Sequence, residues 1–305
     1  MDAHRRKAFV AAISVASNAL LVVLKLAVGL ATGAVSVFSE AIHSGLDLVA
    51  AVIALLAVRA SARAADERHP FGHGKFENIS GAVEALLIFV AAAWIVSEAV
   101  HKLRHPAPLA AVGWGVAVML VSAVLNTFVA RLLFRCGRET QSVALLADGW
   151  HLLTDVYTSA GVMLALAVVA AGRLFWPGLP LDWIDPVAAM LVALLILKAA
   201  WNLTRQSVRD LLDVSLPPEE RRWIEQTIAG FAPEVRGFHN LRTRRAGMVR
   251  YVELHLQVAP GMSVLDSHAL AHRVTDRIKA HFGGAEVIAH VEPARAERDS
   301  AERER

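Results

Sequence analysis

Six stretches of this chain are each long and apolar enough to cross the roughly 30 Å hydrocarbon core of a bilayer, which takes about 20 helical residues. They run approximately from Ala8 to Leu30, Ala34 to Val58, Ile79 to Val100, Ala110 to Phe134, Val143 to Ala171 and Ile184 to Thr204. The chain therefore reads as a polytopic α-helical membrane protein with six transmembrane helices and a soluble C-terminal appendage. A hydrophobic content of 55% over 305 residues and a mean hydropathy of +0.46 exclude an ordinary soluble globule.

An even number of spans puts both termini on one side of the membrane, and the basic residues say which. Arg5, Arg6 and Lys7 precede the first span, Arg59, Arg63, Arg68 and Lys75 join the second to the third, and Arg131, Arg135 and Arg138 join the fourth to the fifth. The opposite loops hold only Lys102, Arg104 and Arg173. The positive-inside bias then places both termini in the cytoplasm. These charges also account for the pI near 9.3. Spread over short loops, they do not make a nucleic-acid face, and no nucleic-acid partner is expected. The first apolar segment contains Lys25, is long for a signal peptide and is followed at once by another span, so it reads as retained. The single cysteine, Cys136, is expected in the loop between spans four and five. It permits neither an intrachain disulfide nor a thiolate metal cluster.

Composition changes after Thr204, dividing the chain into a membrane domain (1–204), a soluble domain (205–293) and a charged, disordered tail (294–305). In the soluble domain, Pro217-Pro218-Glu219-Glu220 reads as a helix start, with Trp223, Ile224, Thr227, Ile228 and Phe231 on one face. Val252, Leu254, Leu256 and Val258 alternate with polar residues as a half-buried strand does. A second helix is expected over Val264 to Phe282, and shorter strands at Phe238 to Arg244 and Glu286 to Val291. The order α-β-β-α-β predicts a small α+β domain with its helices on one sheet face.

Two of the expected spans carry a histidine and an aspartate four residues apart, His43 with Asp47 and His151 with Asp155. That spacing puts each pair on one helix face. Either pair alone fits an interhelical hydrogen bond, or an ion pair with Lys25 or Lys198. Together they supply two imidazoles and two carboxylates, a donor set suited to tetrahedral Zn²⁺ with the ion's charge cancelled by the aspartates. Asp148, three residues before His151, reads as an acceptor behind the ligands or an entrance carboxylate.

The runs Glu40-Ala41-Ile42-His43-Ser44-Gly45-Leu46-Asp47, His69-Pro70-Phe71-Gly72-His73-Gly74-Lys75 and Ala147-Asp148-Gly149-Trp150-His151-Leu152-Leu153-Thr154-Asp155 resemble the cation diffusion facilitator family of metal exporters. The likeness extends over residues 8 to about 293. It implies six transmembrane helices, a cytoplasmic αββαβ domain like a metallochaperone, homodimers in a membrane lipid environment, and exchange of divalent metal for protons across a bacterial inner membrane. In the family the first transport ligand is aspartate or histidine. The histidine here, His43, makes the set similar to that of zinc-selective members, and imidazole in place of carboxylate suits a compact, borderline ion. Fe²⁺, Co²⁺ or Ni²⁺ is the alternative cargo.

The same resemblance implies two accessory metal sites. Asp66, His69 and His73 match positions that bind a metal at the membrane surface. His239, His255, His268 and His290 match a two-metal cluster of the soluble domain, where Glu292 departs from the family's aspartate. Lys75 and Asp213 match an interlocking ion pair. Zn²⁺ is thus expected as cargo and as a structural or regulatory ion. No enzyme is expected: the chain lacks an H-E-x-x-H motif, and four protein ligands suit carrying an ion better than activating water. A metal sensor with the membrane part as anchor is the remaining alternative from another class.

Overall fold

A computed structural model describes residues 3–32, 35–105, 114–175 and 183–294. These form two compact units dividing between Val208 and Arg209. The expected starts of the second and fourth spans, Ala34 and Ala110, and the charged tail beyond Ala294 lie outside the described residues.

The first unit is helical: α1 (Ala3–Thr32), α2 (Val35–Ser61), α3 (Lys75–Arg104), α4 (Trp114–Thr140), α5 (Val143–Phe175) and α6 (Ile184–Leu211). Among the described residues, α1 to α4 and α6 are long and apolar enough to cross a membrane. The remaining helix, α5, is 33 residues long. Two buried cores hold the bundle. One joins α1, α2, α4 and α5 through Ala11, Val58, Val129, Leu133, Leu145 and Leu152. The other joins α3, α5 and α6 through Ala85, Ile88, Ala147, Ile196 and Leu203. Small residues let backbones approach where lipid offers no hydrophobic drive, and on α2 the fully buried Ala50, Ala51 and Ala54 serve this purpose.

Helix α4 corrects one expectation. Arg131, Arg135, Arg138 and Cys136 belong to its last turns, not to a loop, and Cys136 is buried. The helix outlasts its apolar stretch because its backbone hydrogen bonds continue past the hydrocarbon, with the side chains of Arg131, Arg135 and Arg138 turned outward. It ends at Gln141, whose φ of 54° breaks the helix, and Ser142 leads directly into α5.

The second unit follows the expected order: α7 (Pro218–Ala229), β1 (Gly237–Ala246), β2 (Val249–Val258), α8 (Val264–Phe282) and β3 (Ala285–Pro293). The sheet order is β1-β2-β3, with β1 antiparallel and β3 parallel to β2. The parallel pair is bridged by α8, as a parallel connection requires. Val252, Leu254, Leu256 and Val258 face Ile224 and Ile228 of α7 and Leu270, Val274 and Ile278 of α8. Ser263 caps α8 by accepting the Asp266 N–H at 3.1 Å, and Gly283 ends it at φ 64°. Because β2 alternates, Tyr251, Glu253, His255 and Gln257 lie on the sheet face away from the helices.

Candidate metal centres

Helices α2 and α5 pack side by side and bring their histidine–aspartate pairs together. His151 Nε2 lies 3.1 Å from Asp47 Oδ1, and His43 Nε2 lies 3.8 Å from Asp155 Oδ1. Each imidazole thus meets the carboxylate of the other helix. One ligand atom from each of His43, Asp47 and Asp155 falls within 4.8 Å of the others. Asp47 and His151 are buried and Asp155 is half-buried, so the carboxylates face each other in low dielectric, where a bound cation is strongly favoured. Asp155 Oδ2 has no hydrogen-bond partner among the described residues. Three of the four expected ligands thus form one group that could hold an ion, while His151 stands outside that group and reaches it through Asp47.

Two cavities flank the cluster. One of about 420 Å³ is lined by His43, His151 and Asp155 together with Trp94, Glu98 and Lys102, and so runs along α3 toward its C-terminal end. A smaller one of about 150 Å³ reaches Asp47 past Lys25, Ser44 and Asn126. There Lys25 Nζ donates to Ser44 Oγ at 2.8 Å.

The loop between α2 and α3 folds around Asp66. Its Oδ1 accepts the backbone N–H groups of Arg68 and His69, at 2.9 and 2.7 Å. The His69 amide above all, by donating to it, holds this exposed carboxyl below its ordinary range despite partial desolvation. His69 Nδ1 and His73 Nε2 each lie 3.3 Å from an Asp66 oxygen. All three expected residues thus meet in one group within 4.8 Å. Gly72 at φ 78° supplies the left-handed residue that turns the chain back.

In the second unit the sheet register aligns three histidines. His239 pairs with His255 across β1 and β2, and His255 with His290 across β2 and β3. Their rings make a row with centroid spacings of 4.9 and 4.8 Å. Glu292, two residues past His290, turns onto the same face, with Oε1 at 2.5 Å from His239 Nε2 and Oε2 at 3.4 Å from His255 Nδ1. Those contacts, led by His239 and then Gln257, pull its carboxyl down to about 2. His239, His255 and Glu292 form a three-ligand group.

His268 does not join them, contrary to expectation. It sits on α8, which packs on the opposite sheet face, and its ring lies 4.4 Å from that of His272. Asp213 lies 3.4 Å from Arg244 Nη1.

Sequence reasoning missed a buried polar network at the N-terminal end of α3. The Glu77 carboxylate takes Lys7 Nζ of α1 and Ser142 Oγ ahead of α5, and accepts Ser61 Oγ of α2 at 2.6 Å. Lys7 and Glu77 are almost wholly buried. The available signal was the recurrence of Glu77, Ser80 and Glu84 at helical spacing at the start of a long apolar run.

The profile of the cation efflux transmembrane domain matches residues 11–212, and that of the cation efflux protein cytoplasmic domain matches residues 216–294. The chain belongs to the cation diffusion facilitator family. This cation diffusion facilitator is 36% identical to the uncharacterized transporter sll1263 of Synechocystis over 270 residues, covering 88% of this chain and 85% of that one. It is 33% identical over 290 residues to the cation-efflux pump FieF of Klebsiella pneumoniae, covering 94% and 92%. The metal-bound C-terminal domain of the CzcD transporter from Thermotoga maritima is similar at 30% identity and a TM-score of 0.24, covering 25% of this chain and 87% of that one. The protein is accordingly a multi-pass membrane transporter for the efflux of divalent metal cations, with a C-terminal cytoplasmic domain.

Proposed function

We propose that this cation diffusion facilitator exports Zn²⁺ from the cytoplasm in exchange for protons, with His43, Asp47, His151 and Asp155 as the transport ligands. One observation carries the reading: each imidazole lies against the aspartate of the opposite helix, and His43, Asp47 and Asp155 bring one ligand atom each within 4.8 Å of the others, with no cysteine among them. That donor set is borderline and compact, which favours Zn²⁺ over larger or harder ions. Metal requires neutral imidazoles and ionised carboxylates, so metal loading expels protons and protons expel metal. The 420 Å³ cavity toward Glu98 and Lys102 supplies a route between the site and one membrane face. With both termini in the cytoplasm of a bacterial inner membrane, that face is the outer one.

The accessory groups fit the same activity. Asp66, His69 and His73 offer an exposed landing site, and the row of His239, His255 and His290 with Glu292 offers a regulatory site that stiffens the domain of a homodimer when filled. The test is Zn²⁺ flux in reconstituted vesicles under an imposed pH gradient. Wild type moves Zn²⁺ in response to the gradient and Asp47→Ala does not; flux indifferent to the gradient refutes proton exchange, and flux unchanged by Asp47→Ala refutes the site.

A further inference from the structure

A buried polar stripe leads from the Glu77 network toward the metal ligands, and metal coordination does not use it. On α3, Glu77, Ser80, Gly81 and Glu84 recur at helical spacing and are all buried. Glu84 is 0% exposed; Ser80 Oγ donates to its Oε1 at 3.3 Å, while Oε2 has no hydrogen-bond partner among the described residues. Asp148 of α5 is 1% exposed and neither of its oxygens has such a partner. Ser14 of α1 is 0% exposed, and its Oγ is likewise without a hydrogen-bond partner among the described residues. From α6, the unpartnered Ser207 Oγ abuts Gly81.

Gly81 of α3 lies against Val143 of α5, and Ala85 packs in one buried cluster with Ala147, so Glu84 and Asp148 stand at the same level of the two helices, about one turn from His151. The charged groups that face the pair are His151 and, for Asp148, Asp47 of α2. Lys7, the ammonium at the far end of the stripe, is engaged by Glu77. Ionised carboxylates held this way inside a membrane domain are too costly to persist without a bound cation. A metal ion needs several ligand atoms within reach, and no three-residue group among the described residues includes Glu84 or Asp148. A proton needs one carboxyl oxygen.

We propose that Glu84, backed by Asp148, is a proton-carrying site of the transporter, distinct from the metal ligands and coupled to them through space. A divalent cation arriving beside His151 brings positive charge toward the pair, which favours the carboxylate: the Glu84 O–H bond breaks and the proton leaves past Ser80 and Glu77 toward the N-terminal end of α3. Departure of the metal restores the proton affinity, and the oxygen takes up a proton from the side to which the metal left, which completes the exchange. The coupling is reciprocal, so a protonated Glu84 weakens metal binding by the factor through which metal weakens its proton. The inference deepens the proton-exchange reading and rests on it.

The experiment counts protons released into weakly buffered detergent solution per Zn²⁺ bound, for the full chain and for Glu84→Gln, with occupancy followed by calorimetry. Both chains share every other metal site, so protons released there cancel in the comparison. Glu84→Gln, isosteric with the protonated form, is expected to bind Zn²⁺ and to release about one proton fewer. An equal count in the two chains overturns the inference and leaves proton exchange standing. No proton release from wild type overturns the exchange reading itself, and this inference with it. Should Glu84→Gln fail to bind Zn²⁺, the Zn²⁺-induced infrared difference spectra of wild type and Glu84→Asp decide. A lost protonated-carboxyl band that shifts on Glu84→Asp supports the site; no such band, or one indifferent to the substitution, overturns it.

Discussion

His151 Nε2 on α5 and Asp47 Oδ1 on α2 meet at 3.1 Å although 104 residues separate them. The contact crosses helices, so neither helix alone owns the site, and any rigid-body motion of α2 against α5 changes the coordination available to a cation. On the proposed reading, this pair links metal binding to transport.

Replacing His43 by aspartate adds a negative charge and a carboxylate able to bind through both oxygens, which relaxes the compact site toward a larger ion. His43→Asp is expected to raise the Cd²⁺ to Zn²⁺ flux ratio about tenfold, the change that ~1.4 kcal/mol of relative affinity produces. Vesicle flux with each ion measures it, and an unchanged ratio contradicts the role assigned to His43.

Asp66 organises its loop as much as it offers a ligand, since its carboxylate holds two backbone N–H groups. Asp66→Ala is expected to slow Zn²⁺ transport several-fold at low metal concentration while leaving it measurable. Complete loss of flux with intact folding would make the loop part of the obligatory path instead.

Lys7 and Glu77 form an ion pair buried among α1, α2, α3 and α5. Removing one partner of such a pair strands the other charge, at about 3–5 kcal/mol, whereas removing both costs less than the sum. Thermal unfolding in detergent should therefore show the double variant Lys7→Met/Glu77→Gln losing clearly less than the losses of Lys7→Met and Glu77→Gln added together. Additive losses would show that the two groups are not coupled.

How far the sequence discloses this molecule depends on which residues speak locally. Apolar runs mark the spans because lipid demands them, but hydropathy ends where the hydrocarbon ends, so the last turns of α4 around Arg135 and Cys136 read as loop. The i, i+4 spacing of His43 with Asp47 and of His151 with Asp155 is legible because a helix sets it; that the two pairs face each other is decided by packing between α2 and α5. His239, His255 and His290 align only through strand register, which no local pattern prints. His268 falls away from them because α8 occupies the other sheet face. Glu77 and Lys7 meet across 70 residues, a contact no spacing rule announces.

Glu292 gives the C-terminal domain a signature in acid. Its carboxyl is pulled down to about 2 in the folded chain, first by His239, against about 4.3 for an unfolded glutamate. A depressed acid contributes stability that is fully present above about pH 5 and is lost as pH falls toward 2. The metal-free wild type should thus unfold at higher temperature than Glu292→Gln near neutrality, and the two midpoints should converge toward pH 2. A difference that persists unchanged into acid contradicts this account.

The most direct test of the central claim is Zn²⁺ binding to the intramembrane cluster alone. In a full chain carrying Asp66→Ala and His255→Ala to disable the accessory groups, X-ray absorption should report Zn²⁺ in a shell of nitrogen and oxygen at about 2.0–2.2 Å, one ion per protomer, lost on adding Asp155→Ala. Retention of that same Zn²⁺ shell after Asp155→Ala would contradict it.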